Sequence, residues 1–195
     1  MIPMRNRKKT LEVTIEEMRN FSFAYIEKYA PSKQQLRTYL LKKYLKASVP
    51  NVKKRDISDL IDTVLIDLEK TKFINDQFYS ETKAKSLIQR GSSINKIRSY
   101  LYSKGVDDSN IKNTINKIQE SNEDQDFFSA IKICKKKRIG PARIEDNRAL
   151  FYKKDISLLA RNGFNFETSK RVMDIDKKDY LKIINLLWFF LFIIF

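Results

Sequence analysis

The residues of this chain whose grouping most suggests chemistry are carboxylates and cations, since the sequence holds no histidine and a single cysteine, Cys134. The densest carboxylate groups are Asp107-Asp108 and Glu123-Asp124-x-Asp126. Clusters of this kind can hold magnesium for phosphodiester chemistry. Each also stands at the start of an apolar-periodic stretch, where a carboxylate accepts from the free N–H groups of a first helical turn and suits the positive end of its dipole. Capping is therefore the expected role. Neither a Gly-x4-Gly-Lys-Ser/Thr phosphate loop nor a Gly-x-Ser-x-Gly nucleophile elbow occurs. One cysteine cannot close an internal disulfide or build a cysteine-rich zinc site. Cys134 shares an apolar helical face with Phe127 and Ile131, which reads as core packing. The expectation is a non-enzyme with no catalytic residue, no metal, no cofactor and no small-molecule substrate.

The cations say more. Lys+Arg 39 against Asp+Glu 24 gives a net charge of +15, and such an excess attracts nucleic acid, an anionic membrane or a nucleoprotein assembly. A merely solvated basic surface has the same composition. Two runs stand out, Lys53-Lys54-Arg55 and Lys135-Lys136-Lys137-Arg138 with Arg143 nearby. Both lie near helix junctions, from which long side chains can reach phosphates or an acidic protein surface. Each reads equally as a solubilising charge run. Arg37 and Arg98 recur at matched places beside inward-facing Leu36 and Ile97, so both are expected to point outward, as a shared contact stripe or as ordinary helix formers. Tyr39, Tyr100 and Tyr102 can stack on bases, although their spacing favours core or rim packing.

The elements that position these residues are helices. An apolar fraction of 42% supports packed cores, and only four glycines and four prolines leave little material for hairpins or barrels. Gly91, Gly105, Gly140 and Gly163 all fall at expected helix ends. Thr14-Ile15-Glu16-Glu17 has capping-box spacing and opens a helix to about Tyr29 with Met18, Phe21, Tyr25 and Ile26 inward. Pro31 breaks it, and Ser32 with Gln35 opens the next, bearing Leu36, Tyr39, Leu40 and Tyr44. A loop with Pro50 leads to Asp56, the expected cap of a helix with Ile57, Leu60, Ile61, Val64, Leu65 and Leu68 inward. Asn75 or Asp76 opens a helix that Gly91 ends. Ser92 or Ser93 starts another, with Ile94, Ile97 and Leu101, ahead of Gly105. Asp107-Asp108 caps a helix carrying Ile111, Ile115 and Ile118. Further helices bear Phe127, Phe128, Ile131 and Cys134, then Leu150, Phe151, Leu158 and Leu159, and finally Glu167 to Met173. Nine helices in three trios are expected.

Internal repetition supports the trios. Ser32-x3-Leu36-Arg37-x-Tyr39-Leu40 aligns without a gap with Ser93-x3-Ile97-Arg98-x-Tyr100-Leu101. Leu158-Leu159-Ala160-Arg161-Asn162-Gly163-Phe164 echoes Tyr100-Leu101-Tyr102-Ser103-Lys104-Gly105-Val106 in the same role. The expected architecture is all-α, an elongated array of three tandem three-helix repeats. Its parts are a basic tail (1–13, with Arg5, Arg7, Lys8 and Lys9), repeats at 14–72, 73–121 and 122–176, and an apolar tail at 177–195.

Phe73-Ile74-Asn75-Asp76-x-Phe78, Arg90-Gly91, Ile97-Arg98-x-Tyr100-Leu101-x2-Lys104-Gly105-Val106 and Leu158–Phe164 resemble the RecX family of bacterial regulators of the RecA recombinase. The resemblance runs from about Phe21 to Val172. It implies three tandem three-helix repeats and binding in the groove of the RecA–DNA filament. It also implies restraint of filament growth, strand exchange and the coupled ATP hydrolysis. A basic residue common one turn before the first glycine of the central block is Leu87 here, with Lys85 and Arg90 close by. By this resemblance the partners are the RecA filament and, weakly and electrostatically, the DNA within it. The filament- or DNA-contacting candidates are then Arg37, Lys53, Lys54, Arg55, Arg98, Lys135, Lys136, Lys137, Arg138 and Arg143.

The run from Leu186 to Phe195 has no counterpart placed in that family, and the apolar stretch that contains it begins at Ile183. As a helix it would extend about 20 Å, short of a hydrocarbon core of about 30 Å. A membrane span is not expected. Interfacial insertion beside Lys177, Lys178 and Lys182, docking on the last trio, and an aberrant end of the reading frame all remain open. Met1 to Lys9 lacks the apolar core of a signal peptide, and a cytoplasmic monomer is expected. Two other functions stay in view: a general helical DNA- or RNA-binding protein or transcriptional regulator, and a basic protein of the membrane surface.

Overall fold

Ten α-helices account for most of the residues that the structure, a computed structural model, describes: 11–47 and 52–193, with side chains to residue 187. No strand occurs among them. Arg5, Arg7, Lys8, Lys9 and Pro50 lie outside the described residues. The helices are α1 (Ile15–Tyr29), α2 (Lys33–Lys46), α3 (Lys54–Lys70), α4 (Asp76–Gln89), α5 (Ile94–Ser103), α6 (Asp108–Ser121), α7 (Gln125–Lys137), α8 (Arg148–Arg161), α9 (Phe166–Met173) and α10 (Lys177–Ile193). Two 3₁₀ turns, Gly140–Ala142 and Glu145–Asn147, lie between α7 and α8. One helix more than expected is present because the apolar tail is itself helical.

Local chemistry explains most of the boundaries. Thr14 accepts from the Glu17 N–H at 3.2 Å, and Ser32 with Gln35 closes a full capping box on α2. Asn75 accepts from the Phe78 N–H at 2.9 Å, and Asp107 from the Asn110 N–H at 2.9 Å. Asp56 does not cap α3. That helix begins a turn earlier, with Lys53 at its N-cap and no side-chain cap bond, and Asp56 falls inside the first turn, where its charge still suits the dipole.

Contacts divide the chain into two compact units. The first comprises residues 1–79 and 104–106, and the second residues 80–103 and 107–195. In the first, Met18 of α1, Leu36, Leu40 and Tyr44 of α2, and Ile57, Ile61, Val64, Leu65 and Leu68 of α3 form one buried cluster. The 3.6-residue period brings these faces together. Tyr25 and Tyr39 stack at 4.1 Å on its rim. In the second, Phe127, Ile131 and Cys134 of α7 pack with Leu159, Phe164, Val172 and Met173. Tyr180 and Ile184 of α10 complete that cluster, so the start of the apolar run docks on the core of its own unit. Among the described residues no helix is long and apolar enough to cross a membrane. Leu150, which the sequence pattern places on an apolar helical face, is 77% exposed.

A set of hydrogen bonds made by α2 is made again by α5. Ser32 donates to the Lys104 carbonyl at 2.7 Å, and the Lys33 N–H donates to Asp76 at 2.8 Å. Ser93 donates to the Asn162 carbonyl at 2.8 Å, and the Ile94 N–H donates to Asp126 at 2.7 Å. The starts of α2 and α5 thus each meet the residue just ahead of a later glycine, Gly105 or Gly163. Gly163 has φ +88°, and a Cβ there would stand 2.5 Å from the Ser93 hydroxyl, so glycine is needed for backbone and approach together. Leu40, Leu101 and Leu159 are all fully buried.

Candidate functional site

Seven of the ten cationic candidates sit in the two runs. Lys53, Lys54 and Arg55 form the exposed beginning of α3, and Lys135 to Arg138 the exposed end of α7. Cations at a helix C-terminus suit the negative end of its dipole, which accounts for the second run. At the start of α3 the dipole opposes them, so local helix electrostatics does not explain the first.

The corner that carries Lys135–Arg138 is fixed from beneath. Arg138 turns left-handed at φ 54°, and the Ile139 N–H closes back on the Cys134 carbonyl at 3.1 Å. Gly140 then donates its N–H to Asp155 Oδ2 at 2.8 Å. Arg143 forks the same carboxylate, Nε to Oδ2 at 2.6 Å and an NH2 group to Oδ1 at 2.8 Å. Its guanidinium also lies 4.4 Å from the centre of the Phe151 ring. Asp155 is 1% exposed. Burial alone would raise its pKa, but the bonds from Arg143 and the Gly140 N–H outweigh burial and hold the carboxyl below the usual range. Lys177 ties the loop again by donating to the Pro141 and Arg143 carbonyls at 3.1 and 3.2 Å.

The structure therefore gives Arg143 an internal partner. Arg37 has one too: it forks Asp62 of α3 at 2.6 and 2.8 Å and donates to Ser58 at 2.9 Å. Arg98, at the matching position of α5, has no such partner. It is exposed, donates to Asn95 at 3.2 Å, and has no carboxylate pair among the described residues.

Of the acidic groups, Asp107 caps α6, and the Asn110 N–H with the Ser109 hydroxyl holds its pKa down. Asp124 does not cap α7 through its side chain. Arg171 forks it instead, at 2.5 and 3.0 Å. Asp126 caps α5 rather than its own helix, and burial raises its pKa despite the bond from the Ile94 N–H. Among the described residues no three acidic or cysteine side chains gather as a metal site would require. Cys134 is fully buried, and burial beside Asp155 pushes its thiol up to about 12, far from a reactive thiolate.

No family model matches the sequence. Among curated proteins the chain is 28% identical over 177 residues to the regulatory protein RecX of Myxococcus xanthus (strain DK1622), covering 87% of this chain and 91% of that one. Its fold superposes on a crystal structure of regulatory protein RecX with a TM-score of 0.57, covering 83% of this chain and 74% of that one at 17% identity. Fold and sequence relation together mark a small all-helical protein. In sequence and in fold the chain is similar to RecX regulatory proteins.

Proposed function

We propose that this chain binds the RecA–DNA filament and restrains it, acting in the regulation of DNA repair and recombination without catalysis of its own. The observation that carries the reading is a sequence relation to a RecX regulator that spans nearly all of both chains. The Phe73–Val106 block supplies the motif, and RecX-type regulation of RecA is what the family resemblance implies. The mechanism is occupation. Exposed cations reach phosphates and acidic protein surface along the filament groove, and the bound protein obstructs subunit addition. The repeated bonding of Ser32 and Ser93 supports a reading as tandem trios at 14–72, 73–121 and 122–176. A cytoplasmic monomer fits this role.

Lys135–Arg138 is the favoured contact, because its loop is held by Asp155 and Lys177 and the side chains lie outside. The test compares affinity for a RecA–DNA filament with affinity for the same DNA alone at about 150 mM salt, where weak phosphate contacts are already screened. Filament affinity should be the greater. Changing Lys135, Lys136, Lys137 and Arg138 together to glutamate should weaken filament binding and relieve inhibition of strand exchange, with helicity by circular dichroism unchanged. Equal affinity for filament and bare DNA would favour the general nucleic-acid binder.

A further inference from the structure

We infer that the groove between α5 and α6 is a binding site for an unstacked base of single-stranded nucleic acid, with Tyr102 as its stacking platform. The inference rests on the filament-and-DNA reading above and assigns a part of that contact to named residues. The groove holds about 570 Å³. Arg98 and Tyr102 stand one helical turn apart on the α5 side, and Asp108, Lys112, Asn116 and Gln119 line the α6 side. Ile111 and Ile115, both almost fully buried, form its floor.

Two features separate this groove from an ordinary helix junction. Tyr102 is 71% exposed and touches no other aromatic side chain among the described residues, whereas Tyr39 is stacked on Tyr25. The second feature is the contrast between matching arginines. In the first unit Arg37 is neutralised by Asp62 on the facing helix, while Arg98 has no carboxylate pair among the described residues and lines open space beside Lys112. Two cations, an exposed ring and two amides suit a nucleotide: phosphate to Arg98 and Lys112, base face on Tyr102, base edge to Asn116 and Gln119. Asp108 fits as an acceptor for an exocyclic amino group. An acidic peptide would use the cations but would leave the ring and the amides idle.

The experiment measures binding of a labelled single strand of about 15 nucleotides, and of a duplex of the same sequence, with no recombinase present. Tyr102→Ala should weaken the single strand about tenfold, since base–aromatic stacking is of that order, and should leave the duplex unchanged because its bases are already stacked. Tyr102→Phe should restore single-strand binding. Tyr102 is exposed, so neither change threatens the fold. Equal weakening of strand and duplex, no weakening of either, or failure of phenylalanine to rescue overturns the inference. Because RecA is absent, a loss of filament preference with the Tyr102 effect intact would refute the filament reading and leave the groove standing.

Discussion

Arg143→Ala isolates the device beneath the Lys135–Arg138 corner. The substitution removes both guanidinium bonds to Asp155 and leaves that carboxylate, 1% exposed, with the Gly140 N–H at 2.8 Å. Breaking a buried pair from one side costs about 3–5 kcal/mol, because the remaining charge stays buried without its partner. Arg143 is itself 22% exposed, so water can enter where it stood. The lower end, about 3 kcal/mol, is therefore expected. Asp155→Asn is the control: it removes the charge, keeps the shape, and leaves an arginine that can turn to solvent, for a cost of about 1–2 kcal/mol. The pH dependence sharpens the prediction. In the wild type the folded carboxyl lies below its ordinary range, so it contributes stability above the unfolded pKa, and that contribution is lost as pH falls through the folded value. Without Arg143 burial dominates and the folded value rises above the unfolded one, so the variant gains stability as pH falls. The gap between the two proteins, from urea denaturation, should be widest near about pH 7 and narrow toward about pH 4. A loss under about 1 kcal/mol, as for an exposed ion pair, would refute the reasoning. So would a gap that stays constant with pH.

Leu101→Ala, at a fully buried position matched by Leu40 and Leu159, should cost about 2–5 kcal/mol through lost transfer energy and a cavity, read as a lower denaturation midpoint. The purified protein with magnesium should show no nuclease or ATPase turnover. Asp107→Ala should cost about 1 kcal/mol as a lost cap; turnover that vanished with this change in a RecA-free preparation would instead make Asp107 catalytic.

What was legible in the sequence was local. The helical period marked Leu36, Leu40, Ile97, Leu101 and Leu159 as core, and three- to four-residue spacing marked Thr14, Ser32 with Gln35, Asn75 and Asp107 as caps. Contacts between distant segments were not legible. Asp126 stands in the first turn of α7, where a carboxylate suits the dipole, yet its partner is the start of α5, 32 positions back. Asp155 follows Lys153-Lys154 and looks like surface, while Arg143 looks like one more surface cation. Their fork depends on the turn at Gly140. Arg37 and Arg98 are equivalent along the chain and differ in the structure because Asp62 faces only Arg37. The apolar run after Ile183 had no period to assign a face, and packing of Tyr180 and Ile184 supplied one.

The bonds that finish α2 and α5 run in one direction along the chain. Ser32 and Lys33 are satisfied by Asp76 and Lys104, and Ser93 and Ile94 by Asp126 and Asn162, always by residues made later. On a ribosome the beginning of α2 would wait for residue 104, and that of α5 for residue 162. A nascent chain would hold a complete helix body whose first turn has only its local cap, Ser32 with Gln35 or Ser93 with Lys96, until the following segment supplies the other bonds. A chain cut after residue 121 would keep every residue of α5 and lose Asp126, Asn162 and Gly163, long-range partners of its first turn. Loss of the end of this protein would therefore be felt well upstream, as fraying at Ser93 and Ile94 rather than only at the cut.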